Sequence, residues 1–391
     1  MIAPNELRGL AAGVLPTVTE LRRAIHRNPE LSFHEFATTE RVATALQYAG
    51  LDPKVRHTGT GLTAEVGQGE KVVGFRADMD ALPISEPADN PFASQVEGAM
   101  HACGHDAHTA IGTGIALALA RARLPGRIRF VFQPGEEAFP GGALELVRDG
   151  IVDDLSAIIA FHVDPSLEVG SVGLRTGAVT GSADRFRIRL EGPGGHTARP
   201  HRTVDLIYAA GRLVTELPTL VQRMVDPRRP VTVVFGRIAG GSAENVVPTR
   251  LEMGGTVRTI DRTLWDEMPD LVSTLVEQIL IPTKAKASIE YVRGIPPVVN
   301  DPGVIGAARD AISGLLGPQA VTSTRTSMGA EDFSRYLDRI PGALMRLGTA
   351  PDRGSIDLHS EGFVLDERAL ETGILAGAAT LLHLLGPEPL P

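Results

Sequence analysis

The 391-residue chain contains a single cysteine, so it can form no internal disulfide and its composition gives no sign of an oxidising compartment. It also lacks a long apolar run. The longest, roughly residues 110–120, stops at Arg121, too short to span a bilayer, and reads as a buried helix. The opening MIAPNELRGLAAGVLPTV has neither the basic start nor the extended apolar stretch of a secretory signal. Positive charge is in deficit, 38 Lys and Arg against 47 Asp and Glu, and a net charge of −9 repels nucleic acid and anionic membrane surfaces. No G-x-x-x-x-G-K-[ST] phosphate loop occurs. No strand runs into G-x-G-x-x-G either, because Gly112-Thr113-Gly114 falls inside the apolar helical run, which disfavours a nicotinamide oxidoreductase. The expectation is a cytoplasmic protein that acts on a small molecule, with no nucleic-acid or membrane partner.

With 43% hydrophobic and 22% charged residues the chain has ample material for a globular core, and its length suggests two or three domains. The first 180 or so residues alternate strand-like and helix-like stretches, the rhythm of an α/β sheet. The expected strands are 62–67, 71–78, 127–134 and 157–163. From Asp184 the pattern becomes β-α-β-β-α-β: RFRIRLEG, a helix over 204–216, PVTVVFGRIAG, LEMGGTVRTI, a helix over 264–280, and SIEYVRG. After Pro296 the first rhythm resumes, with a strand at 342–349 and a helix at 368–385. The expected organisation is an α/β domain in two parts, 1–183 and 295–391, interrupted by an α+β domain at 184–294.

Ionisable residues gather where scaffold strands should end, the place where open α/β sheets bind ligands. Asp78 and Asp80, two apart after a strand, would share a face. Cys103 and His105 have the same spacing in HACGHDAHTA, Glu136 and Glu137 follow a strand and a glycine, His162 ends AIIAFH, and His359 lies in DLHSEGF. Each has a plain structural explanation as well. Asp-x-Asp can cap a helix, a lone cysteine is commonly a small hydrophobe, His101, His105 and His108 could form one helix face, and paired glutamates are commonly solvated. Together, one thiol, several imidazoles and paired carboxylates match the donor set of zinc and similar first-row ions. A carboxylate beside such a site could take a proton from water.

In order, FRADMDALPI, MHACGHDAHTA, FQPGEE, AFHV, GPGGHTARPH, GGSAENVVPTR, GGTVR, MGAEDFS and LHS span nearly the whole chain. With these motifs the sequence resembles the dinuclear-metal aminoacylase and carboxypeptidase superfamily, in the branch of hippurate hydrolases, auxin-conjugate hydrolases and N-acyl-amino-acid amidohydrolases. The resemblance implies a discontinuous metallopeptidase-like α/β catalytic domain, its helices packed on a mixed sheet, with an inserted ferredoxin-like lid and dimerisation domain. It implies two divalent ions per subunit, zinc, manganese, nickel or cobalt, held by Cys103, His105, Glu137, His162 and His359. Glu136 would be the general base and Asp80 a carboxylate behind the ligands. Asp78 falls where the wider superfamily uses a metal-binding histidine, a role that Cys103 and His105 would take over. His196 would reach the partner subunit's active site in a homodimer, while Asn245 and Arg258 would hold the substrate carboxylate. The implied activity is hydrolysis of N-acyl amino acids to a carboxylate and a free amino acid. The alternatives are a dipeptidase or carboxypeptidase of the same superfamily, or a non-catalytic metal-binding protein on that scaffold, which would be expected to lose Glu136.

Overall fold

In the computed structural model, which describes residues 2–87, 90–350 and 356–386, the chain divides into two compact units. The first comprises the chain up to Gly177, Val299–Arg325 and the part from Asp332 onward; the second comprises Ala178–Val298 and Thr326–Glu331.

The first unit is built on an eight-stranded mixed sheet. Its strands run in the order Lys54–Val55, Leu62–Gly67, Arg127–Gln133, Val72–Asp78, Leu155–Glu168, Gly342–Ala350, Val172–Leu174 and Val321–Ser323. The central strands Arg127–Gln133, Val72–Asp78, Leu155–Glu168 and Gly342–Ala350 are mutually parallel, so their carboxyl ends lie along one edge of the sheet. Val72–Asp78 is buried at every position, which explains its continuous apolar sequence: a central parallel strand has both faces covered. The helix His105–Leu119 is buried over nearly its whole circumference, packed on that strand and between helices Pro4–Arg27 and Arg368–Leu385. Its small residues allow the close approach. A Cβ at Gly114 would lie 2.6 Å from Ile374 Cδ1.

The second unit has a four-stranded antiparallel sheet in the order Val231–Ala239, Arg250–Thr259, Ala183–Glu191, Lys286–Ile295. Helices Leu206–Met224 and Arg262–Leu280 cover one face, and their apolar stripes form a core with Phe186, Ile188, Leu190 and Met253. In chain order the strands read 2-3-1-4, the split β-α-β arrangement expected from the sequence. The first helix begins at Leu206, capped by the Asp205 side chain on Tyr208 N at 2.9 Å. It continues past Glu216 to Met224, because Leu217 and Val221 keep the apolar stripe against the sheet.

The division falls outside the boundaries expected at 184 and 294. Val179 N donates to Val298 O at 2.9 Å and Ser182 N to Thr259 O at 2.8 Å, which ties the residues before the first strand into the second unit. The short segment 326–331 joins it as well, through Ser327 N to Val179 O and Gly181 N to Gly329 O.

Candidate metal centre and active site

Asp78 closes the Val72–Asp78 strand, in register with Gln133 on its parallel neighbour. Alternation puts Arg76, Asp78 and Asp80 on one side of the chain, and the three acquire different partners. Asp78 is fully buried between Arg76 Nη1 at 2.5 Å and His108 Nδ1 at 2.6 Å. His108 Nε2 accepts the Val163 N–H at 2.9 Å, so its proton sits on Nδ1 and both ring nitrogens are occupied. Burial alone would raise Asp78, but Arg76, His105 and His108 hold its carboxyl well below the usual carboxylate range. Arg76 also pairs with Asp332 at 2.8 Å and donates to Gln133 at 2.8 Å, which roots this corner in the core.

Asp80 is left to organise the other residues. Its Oδ1 accepts from His105 Nδ1 at 3.2 Å and Glu136 N at 3.1 Å, and its Oδ2 from Ser32 Oγ at 2.6 Å and Glu137 N at 2.9 Å. Burial raises it, yet the His105 and Ser32 hydrogen bonds and the Glu137 N–H bring it below its ordinary value. One carboxylate thus orients a histidine and the glutamate pair together.

Gly104, at φ 76, turns the chain into the helix that begins with His105; a Cβ there would lie 2.5 Å from Val163 Cγ2. With Nδ1 on Asp80, His105 places Nε2 among three carboxylates, 3.7 Å from Asp78 Oδ2, 4.0 Å from Glu136 Oε2 and 3.9 Å from Glu137 Oε1. That nitrogen is buried without a hydrogen-bond partner among the described residues. His162 Nδ1 donates to Val163 O at 2.8 Å, which leaves Nε2 as a lone-pair donor 3.5 Å from Cys103 Sγ. His359, at φ 58 and anchored by its N–H to Ala102 O, brings Nε2 to 3.3 Å from Cys103 Sγ and 3.2 Å from Glu137 Oε1. Donor atoms of Cys103, His105 and His162 lie within 4.8 Å of one another, as do those of Cys103, Glu137 and His359, and of His105, Glu136 and Glu137.

The electrostatics of the cluster favour positive charge. Burial would lower His105, but Asp78 and Cys103 hold it well above its usual value. Burial pushes the Cys103 thiol up to about 12, so a thiolate there requires a cation beside it. Burial and Arg346 keep His162 well below the ordinary imidazole value, and hence neutral. A neutral imidazole fixed by its other nitrogen, a thiol shared by two donor sets and a buried unpartnered Nε2 all fit divalent metal binding.

In the second unit, Gly195–His196 pairs with Val246–Val247, His196 opposite Val246, and Thr197 N donates to Asn245 O at 3.1 Å. His196 and Asn245 are therefore neighbours, both exposed. Ala198 N donates to His196 Nδ1 at 3.1 Å, so Nε2 carries the proton and faces outward as a donor. Arg258, on the strand Arg250–Thr259, donates to Met328 O at 3.0 Å. Spacing gave no pointer to His108 as the clamp on Asp78, or to Ser32 on Asp80. His108 could have been suspected from its place one turn after His105, but Ser32 lies 48 residues from its partner.

A sequence profile described as peptidase family M20/M25/M40 matches residues 74–383. An N-acetylcysteine deacetylase of Bacillus subtilis is 39% identical over 355 residues, 90% of this chain and 92% of the relative. A relative in Rhodococcus jostii named as a glutamate–cysteine ligase is 43% identical over 91% of this chain, but the chain spans only 45% of that protein. Among solved structures, a Bacillus subtilis protein described as a dinuclear metal-binding peptidase superposes with a TM-score of 0.84 at 34% identity, covering 96% of this chain and 99% of that one.

Proposed function

Because the chain belongs to peptidase family M20/M25/M40 and is a metal-dependent hydrolase of amide bonds, we propose that it cleaves N-acyl amino acids to a carboxylate and a free amino acid. The observation that carries this reading is the loop on which Glu136 and Glu137 stand side by side, both amides held by Asp80 and both carboxylates close to His105 Nε2. Cys103, His105, Glu137, His162 and His359 would hold two divalent ions, a reading supported by the donor sets and by the likeness to the dinuclear metal-binding peptidase of Bacillus subtilis. Bound there, the ions supply Lewis acidity toward the amide carbonyl and ease deprotonation of water. Glu136, which needs no place among the ligands, takes the proton from the attacking water and returns it to the departing nitrogen. Asp80 fixes the direction of that carboxylate through the Glu136 amide.

His196 donates Nε2–H to the carbonyl oxygen as it gains charge, and Asn245 and Arg258 hold the free carboxylate of the substrate. In this reading His196 serves the neighbouring subunit of a homodimer. The edge strand Val231–Ala239 supports that assembly: within the second unit it pairs on one side only and exposes Val234 and Ile238. The lone cysteine agrees with a cytoplasmic location.

The test is a substrate panel of N-acetyl amino acids with N-acetylcysteine at its head, N-benzoyl amino acids and dipeptides, assayed after reconstitution with each candidate metal. N-acyl amino acids should have the highest kcat/KM; preference for dipeptides would replace this reading with that of a peptidase. Glu136→Gln should lower kcat by about 10²–10⁴-fold with metal content unchanged, and a variant that keeps the native rate removes Glu136 from the chemistry.

A further inference from the structure

A second buried carboxylate grips the base loop one residue ahead of the amides that Asp80 holds. Glu35 is fully buried at the N-terminus of helix Phe36–Tyr48. Its Oε1 accepts two backbone N–H groups at 2.8 Å each, from Phe33 and from Gly135, the residue immediately before Glu136. Gly135 is tied at its other end too, its carbonyl accepting Gly142 N at 2.9 Å. It lies at φ 66 with the Phe33 ring beneath it, so close that a Cβ would come within 2.5 Å of Cζ. Phe33 itself is held in the left-handed region, at φ 64. Three successive amides, 135, 136 and 137, are thus each engaged by a carboxylate, the first by Glu35 and the next two by Asp80. Fixing Gly135 fixes where the chain turns. Asp80 holds the two amides after the turn, and Glu35 holds the amide of the turn residue itself.

We propose that Glu35 is a positioning residue for the general base, holding Gly135 so that the Glu136 carboxylate is aimed at the reacting water. The proposal rests on Glu136 being the base. The contact is one of position and not of charge. Burial and the nearby Asp80 carboxylate push Glu35 up to about 7, so a neutral acceptor of the same shape serves equally well. Glu35 Oε2 accepts no hydrogen bond among the described residues, so the isosteric amide NH₂ in its place displaces none.

These features give two variants opposite expectations. Glu35→Gln keeps an acceptor at Oε1. Glu35→Asp keeps the charge but withdraws the carboxylate by about 1.5 Å, beyond hydrogen-bond reach of Gly135. Kinetics on an N-acyl amino acid should show Glu35→Asp losing kcat by about 10–100-fold with KM changed less than about twofold, and Glu35→Gln within about threefold of native. Each change is repeated in a Glu136→Gln background. There Glu35→Asp should cost no more than about a further twofold, since a residue that acts through the base loses its effect when the base is gone. The proposal is overturned if Glu35→Asp retains native kcat, if Glu35→Gln loses as much as Glu35→Asp, or if the loss is the same factor in both backgrounds, which marks a general defect of folding. Should Glu136→Gln alone keep the native rate, the assignment of the base fails first and this inference falls with it.

Discussion

Asp80→Asn replaces one carboxylate oxygen by an NH₂, and the four hydrogen bonds on Asp80 determine where that NH₂ can go. At the Oδ1 position it would face the Glu136 N–H and His105 Nδ1. His105 would have to move its proton to Nε2, losing the lone pair directed at the glutamates. At the Oδ2 position it would face Ser32, whose hydroxyl can turn and accept, and the Glu137 N–H, which cannot. The second arrangement is the less damaging. It leaves one buried N–H orphaned, at about 1–3 kcal/mol, and removes the charge that reinforces the His105 contact. For a domain of this size that penalty lowers the melting temperature by about 2–12 °C. Because the orphaned amide belongs to Glu137 and the weakened contact to His105, kcat should fall by about 10–100-fold, with a comparable loss of metal affinity. Calorimetry, metal analysis after dialysis and steady-state kinetics on one preparation measure all three. A variant that binds metal and turns over at the native rate would refute the view that Asp80 organises the site, whatever happened to its stability.

Three further outcomes are expected. Metal-free protein titrated with Co²⁺ should develop a thiolate-to-cobalt charge-transfer absorption that is missing in Cys103→Ser, and a native protein that binds Co²⁺ without this band would return Cys103 to the role of a core thiol. Burial alone would lower His26, but Asp106 and Glu86 raise it above 6.5, so its stabilisation is fully present below pH 6.5 and is lost as pH rises through the raised folded value. Unfolding free energy should therefore fall more steeply across that window in the native protein than in His26→Gln; equal slopes would show that His26 is not held protonated. Refolding His196→Ala together with Glu136→Ala in equal amounts should recover about a quarter of native activity if His196 serves the partner's site, because half the dimers are mixed and each mixed dimer has one intact site. No recovery in a mixture that exchanges subunits would place His196 in its own chain's site.

Much of the fold was legible because its elements announce themselves by period. The strand Leu62–Gly67 and the helix Arg368–Leu385 fall at the residues expected, one alternating and one carrying an apolar stripe between charged ends. The domain boundaries were not legible to the residue. Residues 178–182 and 326–331 have no period of their own and are assigned to the second unit by backbone hydrogen bonds to Val298, Thr259, Val179 and Gly181. At the site the donor residues stood out by chemical type, whereas the residues that aim them did not. Ser32 and Glu35 lie in an ordinary ELSFHEF stretch, and only the fold brings them to Asp80 and Gly135. The histidine triplet of the HACGHDAHTA stretch divides three ways. His105 joins the donor set, His108 clamps Asp78, and His101 is buried ahead of the helix.

That division bears on the part Asp78 plays and on why the site suits two ions. Arg76 lies two residues before Asp78 on the same buried side and is shared between Asp78 and Asp332, while His108 takes the other Asp78 oxygen, so protein donors already engage both oxygens of Asp78. Beside Asp78 stand Asp80, Glu136, Glu137 and the Cys103 thiol, acidic groups in a largely buried cluster in which His105, His162 and His359 would bind an ion as neutral imidazoles. Carboxylates crowded into a poorly solvated site repel one another, and divalent ions bound there would offset that cost and allow the thiol to ionise. Two ions would offset more of it than one, with Cys103 in two of the donor sets and Glu136 remaining a carboxylate able to accept a proton. Neutralising Asp80, as in the Asn variant, removes one of the negative charges that would hold the ions. The weaker metal retention expected of that variant therefore follows from electrostatics as well as from the lost orientation of His105.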